Sequence, residues 1–190
     1  MRAMKEDMKA RWGAFEHLLT RTRTQEVFKG LPLSDLSPSH RGTILENLAR
    51  EWTRRSNHTV STSIQTIGLT GKKRPARCEE YDFLRDGVTR VEVKSAQLTW
   101  DMTNCRWGFV FLAIKTEKHD ETQMVMYAPT GIYIWRNVAL KLQSPGPVRM
   151  DYGRNFRIYA SKGEESPTAA MTQIVSKMSA DAELLVHIEW

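Results

Sequence analysis

The chain has 190 residues, 41% of them hydrophobic, with 28 Lys and Arg against 22 Asp and Glu and a net charge of +6. That size fits one domain, which buries about 70% of the surface its unfolded chain exposes and needs no disulfides to fold. Two cysteines, Cys78 and Cys105, exclude a disulfide framework and a paired CxxC zinc site, and both are expected as ordinary buried thiols.

No run approaches the ~20 apolar residues of a membrane span. Met1 to Arg23 mixes Lys, Arg and Glu without the apolar centre of a signal peptide. The expectation is a soluble protein, cytoplasmic or otherwise intracellular, and not secreted. The basic balance favours polyanionic partners. The cations cluster at Arg21 and Arg23, at Arg50, Arg54 and Arg55, at Lys72, Lys73, Arg74 and Arg77, and at Arg149, Arg154 and Arg157.

Met4, Met8, Trp12, Phe15 and Leu19 recur at helical spacing and predict a first helix over Met4 to Leu19. A Pro- and Ser-rich connector then ends in Leu31 to Ser39. The second helix is expected from about Ser39 or Arg41 to Arg55, with Ile44, Leu45, Leu48, Ala49 and Trp52 on its buried face and a stop near Ser56-Asn57. Glu46 and Arg50 are neighbours on another face. His58 to Gln65 alternates as a strand, and Gly68 to Arg77 is a basic loop. Two strand-like runs follow, Cys78 to Leu84 and Thr89 to Ala96. Between them lies Asp86-Gly87, a hairpin signal because both residues tolerate positive φ.

Past the polar interval Gln97 to Arg106 come apolar runs at Trp107 to Ile114, Met124 to Ala128 and Ile132 to Trp135. Phe156 to Tyr159 reads as a short strand. Thr168 to Leu185 reads as a helix, with Met171, Ile174, Val175 and Met178 at helical spacing. The predicted class is α/β, with a mixed central sheet flanked by helices and extra β elements in the second half.

The chemistry concentrates in Tyr81 to Lys94. In the second strand Val91 and Val93 point one way, and Glu92 and Lys94 point the other. The hairpin folds Asp82 back toward residue 91 or 92. Two carboxylates then converge beside an ammonium. Such oxygen donors suit Mg²⁺, which keeps water and needs few protein ligands. Asp82 and Glu92 are the candidate ligands, with the Val93 carbonyl, and Lys94 would orient water and stabilise charge on a phosphoryl group. The bland alternative is a solvent-facing Glu92–Lys94 salt bridge, but Asp82 lies between Tyr81 and Phe83, and Glu92 between two valines.

Asp82, nine intervening residues and then Glu92-Val93-Lys94 resemble the signature of the PD-(D/E)XK, or restriction-endonuclease-like, nuclease superfamily. Upstream, Gly42-x-x-x-Glu46-x-x-Ala49 is similar to the helix that opens that core. The resemblance covers Arg41 to Gln97. It implies a restriction-endonuclease-like core, with Glu46 as an additional acid and metal ligand and Mg²⁺ (or Mn²⁺) as cofactor. Tyr81 stands in place of the motif's proline. The helix that usually follows the lysine strand is displaced or absent, because Gln97 to Arg106 is short and polar. Glu46 is either a site acid or simply the partner of Arg50.

This reading predicts a single nuclease domain over 1–190, with an N-terminal helix and connector (1–38), a catalytic core (39–115) and recognition or dimerisation elements (116–190). DNA contacts are expected from Lys72, Lys73, Arg74, Arg77, Arg50 and Gln97. Trp100 and Trp107 flank a polar loop and are expected in the core rather than on bases. The histidines show no metal spacing. The leading function is sequence-specific cleavage of double-stranded DNA by a homodimer, as in a type II restriction endonuclease. The alternatives are a structure-specific nuclease such as a Holliday junction resolvase and a non-catalytic DNA-binding protein.

Overall fold

The computed structural model describes residues 19–62, 81–114, 118–138 and 154–190. Most of the predicted first helix therefore lies outside the described residues. Helix α1 (19–28) runs past the expected end at Leu19, which is exposed, and buries Thr24 and Phe28. Helix α2 spans Pro38–Arg55. The Ser37 side chain caps it by accepting from the His40 N–H, and proline opens its first turn. It ends at Ser56, followed by Asn57 with φ 62°. Its buried line is Leu45, Ala49 and Thr53, while Ile44 is 42% exposed. The helix is thus rotated from the expected face, because Thr53 meets a polar group on the sheet below.

In chain order the strands are β1 (Val60–Thr62), β2 (Phe83–Arg85), β3 (Thr89–Gln97), β4 (Thr99–Asp101), β5 (Arg106–Ile114), β6 (Glu121–Ala128), β7 (Gly131–Val138) and β8 (Arg154–Tyr159). Helix α3 (Pro167–Met178) and β9 (Glu183–Ile188) follow. A six-stranded mixed sheet has the order β1-β2-β3-β6-β7-β9, and a three-stranded antiparallel sheet has the order β4-β5-β8. Among the described strands of the larger sheet only β3 and β6 pair in parallel, from Val91↔Glu121 to Gln97↔Tyr127. The class is mixed α/β with a mixed central sheet, as predicted.

No helix connects β3 to β6 among the described residues. The chain leaves the large sheet at Leu98, whose N–H donates to the Tyr127 carbonyl at 2.9 Å, and continues as β4 of the small sheet. One strand run thereby serves both sheets. Leu98 is fully buried, and a single apolar cluster including Phe83, Val91, Trp107, Phe111, Met124 and Ile134 joins the layers.

Two expectations are corrected. The predicted helix Thr168 to Leu185 stops at Met178, and Glu183–Ile188 is strand β9. The open edge of β7 carries N–H and C=O groups that need partners, and β9 satisfies them from Ile132↔Ile188 to Arg136↔Glu183, so long-range pairing overrides helical spacing. Cys105 is exposed rather than buried, because it closes a tight turn with φ 47°. Cys78 lies outside the described residues. Among the described residues no helix is long and apolar enough to cross a membrane.

Gly131 opens β7 with φ 134°, and a Cβ there would lie 2.2 Å from the Ile188 carbonyl oxygen. Gly131→Ala must therefore push β9 off β7. It is expected to lower stability by about 1–3 kcal/mol, seen as a lower melting temperature.

Candidate active site

The β2–β3 hairpin turns through Asp86 (φ 53°) and Gly87 (φ 73°). Asp86 also anchors the preceding strand: its carboxylate accepts from the Thr59 N–H at 2.9 Å and lies 2.7 Å from His58 Nδ1. The ladder pairs Phe83 with Val91, so the next step brings Asp82 opposite Glu92. There β2 bends away. The Asp82 N–H still donates to the Val91 carbonyl at 2.9 Å, and the Val93 N–H donates to Asp82 Oδ2 at 2.6 Å. The carboxylate thus replaces a backbone acceptor at the end of the hairpin. The Val93 carbonyl shares the edge of its own amide and faces the same place.

Glu92 and Lys94 stand side by side as the strand period requires, with Lys94 Nζ 2.5 Å from Glu92 Oε1. Their side chains are 15% and 25% exposed. Val91 and Val93 are buried on the other face. Burial pushes the Glu92 carboxyl up to about 7, with the Asp82 charge adding to the rise and Lys94 opposing it. Burial also raises Asp82, against the Val93 N–H and the charges of Lys94 and Arg50.

This donor set fits a hard divalent cation. It is all oxygen, and two crowded acids have one ammonium between them. Asp82, Glu92 and the Val93 carbonyl are the groups that would hold it. Among the described residues, no three His, Cys, Asp or Glu side chains gather as a ligand group. Glu46 is close enough for its charge to raise the Glu92 carboxyl, but it is ion-paired with Arg50 on α2.

Asp82, Glu92, Val93 and Lys94 therefore come together. Arg50, expected on DNA, turns inward and donates to the Asp82 carbonyl at 3.4 Å. Gln97 accepts from Arg41 Nη2 at 2.6 Å, and that guanidinium lies over the Tyr127 ring. Lys72, Lys73, Arg74 and Arg77 lie outside the described residues. Trp100 and Trp107 are buried, as expected, and Arg23 lies 3.8 Å over the Trp100 ring.

Sequence reading missed two features. Arg41 links α2 to the end of β3; its only sequence signal is a lone cation at the helix start. Thr53, Gln123, Glu121 and Arg85 form a buried polar chain, in which Gln123 donates to both Thr53 Oγ1 and Glu121, and Arg85 pairs with Glu121 at 2.7 Å. Those residues are too far apart in the chain for any local pattern to group them.

Compared with models of protein families, with curated proteins and with solved structures, the chain has no match.

The raised Glu92 carboxyl has a thermodynamic consequence. The folded protein holds this proton more tightly than the unfolded chain, whose glutamate titrates near 4.5. Metal-free protein is therefore expected to lose stability as pH rises from about 4.5 through about 7, by at most roughly 3 kcal/mol. Added Mg²⁺ or Mn²⁺ should restore it above pH 7. Melting curves from pH 5 to 8.5, with and without metal, check both signs. A melting temperature that rises through this range without metal would contradict the assignment.

Proposed function

We infer that the chain is a Mg²⁺-dependent endonuclease of the PD-(D/E)XK kind, cutting double-stranded DNA as a homodimer in the manner of a type II restriction endonuclease. The observation that carries this reading is Asp82 opposite Glu92, with Lys94 paired beside them at the end of one hairpin. The element order supports it: helix α2 comes first, then a strand, then the hairpin that carries the acids, in the order the resemblance implies. The small sheet takes the place of the helix that usually follows the lysine strand.

A bound Mg²⁺ would polarise the scissile phosphate and lower the pKa of its water. The residues around it divide the remaining work. Asp82 is oriented by the Val93 N–H, so its free oxygen is directed without further ordering. Glu92, as the carboxylate, would hold the metal together with Asp82 and the Val93 carbonyl. Lys94, which pairs with Glu92 in the free protein, would direct a water toward phosphorus and neutralise charge on the phosphoryl oxygens. The basic segment Lys72 to Arg77, which precedes the Asp82 strand, supplies phosphate contacts. Two copies related by a two-fold axis would cut both strands of a palindrome.

The test is incubation with mixed-sequence plasmid in Mg²⁺ and in EDTA. Discrete, Mg²⁺-dependent bands are expected. Cleavage confined to branched substrates would replace this reading with a junction resolvase. Binding without cleavage in any metal would replace it with a DNA-binding protein.

A further inference from the structure

Glu46 and Arg50 lie one turn apart on α2 and form an ion pair with side chains 34% and 19% exposed. A single Arg50 nitrogen, Nη2, serves both the Glu46 carboxylate and the main-chain carbonyl of Asp82, 3.4 Å away. The guanidinium thus bridges the helix to the first acid of the site. Its Nε is buried and has no hydrogen-bond partner among the described residues. A guanidinium has five donors arranged to grip carboxylates and phosphates in pairs, and here it leaves a buried one unused. This pose is a compromise that a better acceptor would displace.

We propose that Arg50 is a latch on Glu46: without DNA it holds the glutamate away from the Asp82–Glu92 pair, and a DNA phosphate that takes Arg50 releases Glu46 to the metal site as a third carboxylate. The inference rests on the reading of Asp82 and Glu92 as metal ligands. The same guanidinium that holds Glu46 reaches the Asp82 main chain, so the glutamate lies on the side of α2 that faces the site, where its charge is felt at Glu92. An Arg–phosphate grip is two-pronged and charge-assisted, so a phosphate competes well with the carboxylate. The consequence is coupling: DNA tightens the metal, and by linkage the metal tightens DNA. A free protein with a two-carboxylate site would hold metal weakly until its substrate arrives.

The test is Mn²⁺ titration followed by the electron paramagnetic resonance of free Mn²⁺, on DNA-free protein that melts cooperatively. Arg50→Gln, which can still donate to the Asp82 carbonyl, is expected to tighten Mn²⁺ about tenfold. Glu46→Gln alone should change the affinity by less than about threefold, and in the Arg50→Gln background it should remove the gain. In wild type, an uncleavable duplex should reproduce the tightening. Arg50→Lys keeps the charge beside Glu46 and should stay within about threefold of wild type.

An equal gain from Arg50→Gln with and without Glu46 would mean simple removal of a positive charge, and would overturn the latch. So would no gain, or a tenfold gain in Arg50→Lys. Wild-type Mn²⁺ binding that survives Glu92→Gln would instead overturn the site itself, which separates failure of the metal site from failure of the latch.

Discussion

Asp82→Asn is expected to lower Mg²⁺-dependent DNA cleavage by about a thousandfold or more, with little change in melting temperature. A metal ligand acts on several kcal/mol of transition-state stabilisation, and each 1.36 kcal/mol is a factor of ten in rate. The fold survives because the amide oxygen of asparagine can still accept the Val93 N–H that Asp82 Oδ2 accepts at 2.6 Å. What disappears is the charge, together with its push on the neighbouring Glu92 carboxyl. Asp82→Ala separates the two roles. It loses the same activity but also strands the Val93 N–H, at a cost of about 1–3 kcal/mol. Single-turnover cleavage of supercoiled plasmid beside a thermal melt measures both. Wild-type rates in Asp82→Asn would remove Asp82 from the site and, with it, the nuclease reading.

Trp107→Ala is expected to cost about 3–5 kcal/mol, a large part of the 5–15 kcal/mol that holds a domain folded. Trp107 is fully buried, packs edge-on against Trp100 with ring centres 5.3 Å apart, and donates from Nε1 to the Glu165 carbonyl at 2.9 Å. Its own carbonyl accepts from the Ala160 N–H, so it lies where β5, β4 and the segment before α3 meet. Truncation opens a cavity and removes the Nε1 hydrogen bond, leaving the Glu165 carbonyl to Arg23 Nη2 and solvent. Trp107→Phe fills most of the space but cannot donate, so it should fall between wild type and alanine. Urea denaturation gives the three values, and a loss under about 1 kcal/mol for alanine would contradict this account of the small-sheet core.

The hairpin and its acids are legible in the amino-acid sequence because they depend on neighbours in the chain. A period of two puts Glu92 beside Lys94 with Val91 and Val93 behind them, and Asp86-Gly87 supplies the two positive φ angles the turn needs. Given those, the reach of Asp82 to the 91–92 region follows from counting residues. The capped start and end of α2 are equally local, set by Ser37, Pro38 and Asn57.

Tertiary structure decided what depends on distant partners. Leu184 to Ile188 carries no mark that separates the end of a helix from an edge strand; the open edge of β7 makes it a strand. The crossing from β3 to β6 becomes a second sheet because Leu98 is held by Tyr127, from a strand not yet reached in the chain. Helix α2 buries Thr53 rather than Ile44 because Gln123 waits beneath it. Glu46 is readable both as a site acid and as the mate of Arg50. Spacing allows either, and only the position of the Asp82 carbonyl, within reach of the same guanidinium, determines which the free protein adopts.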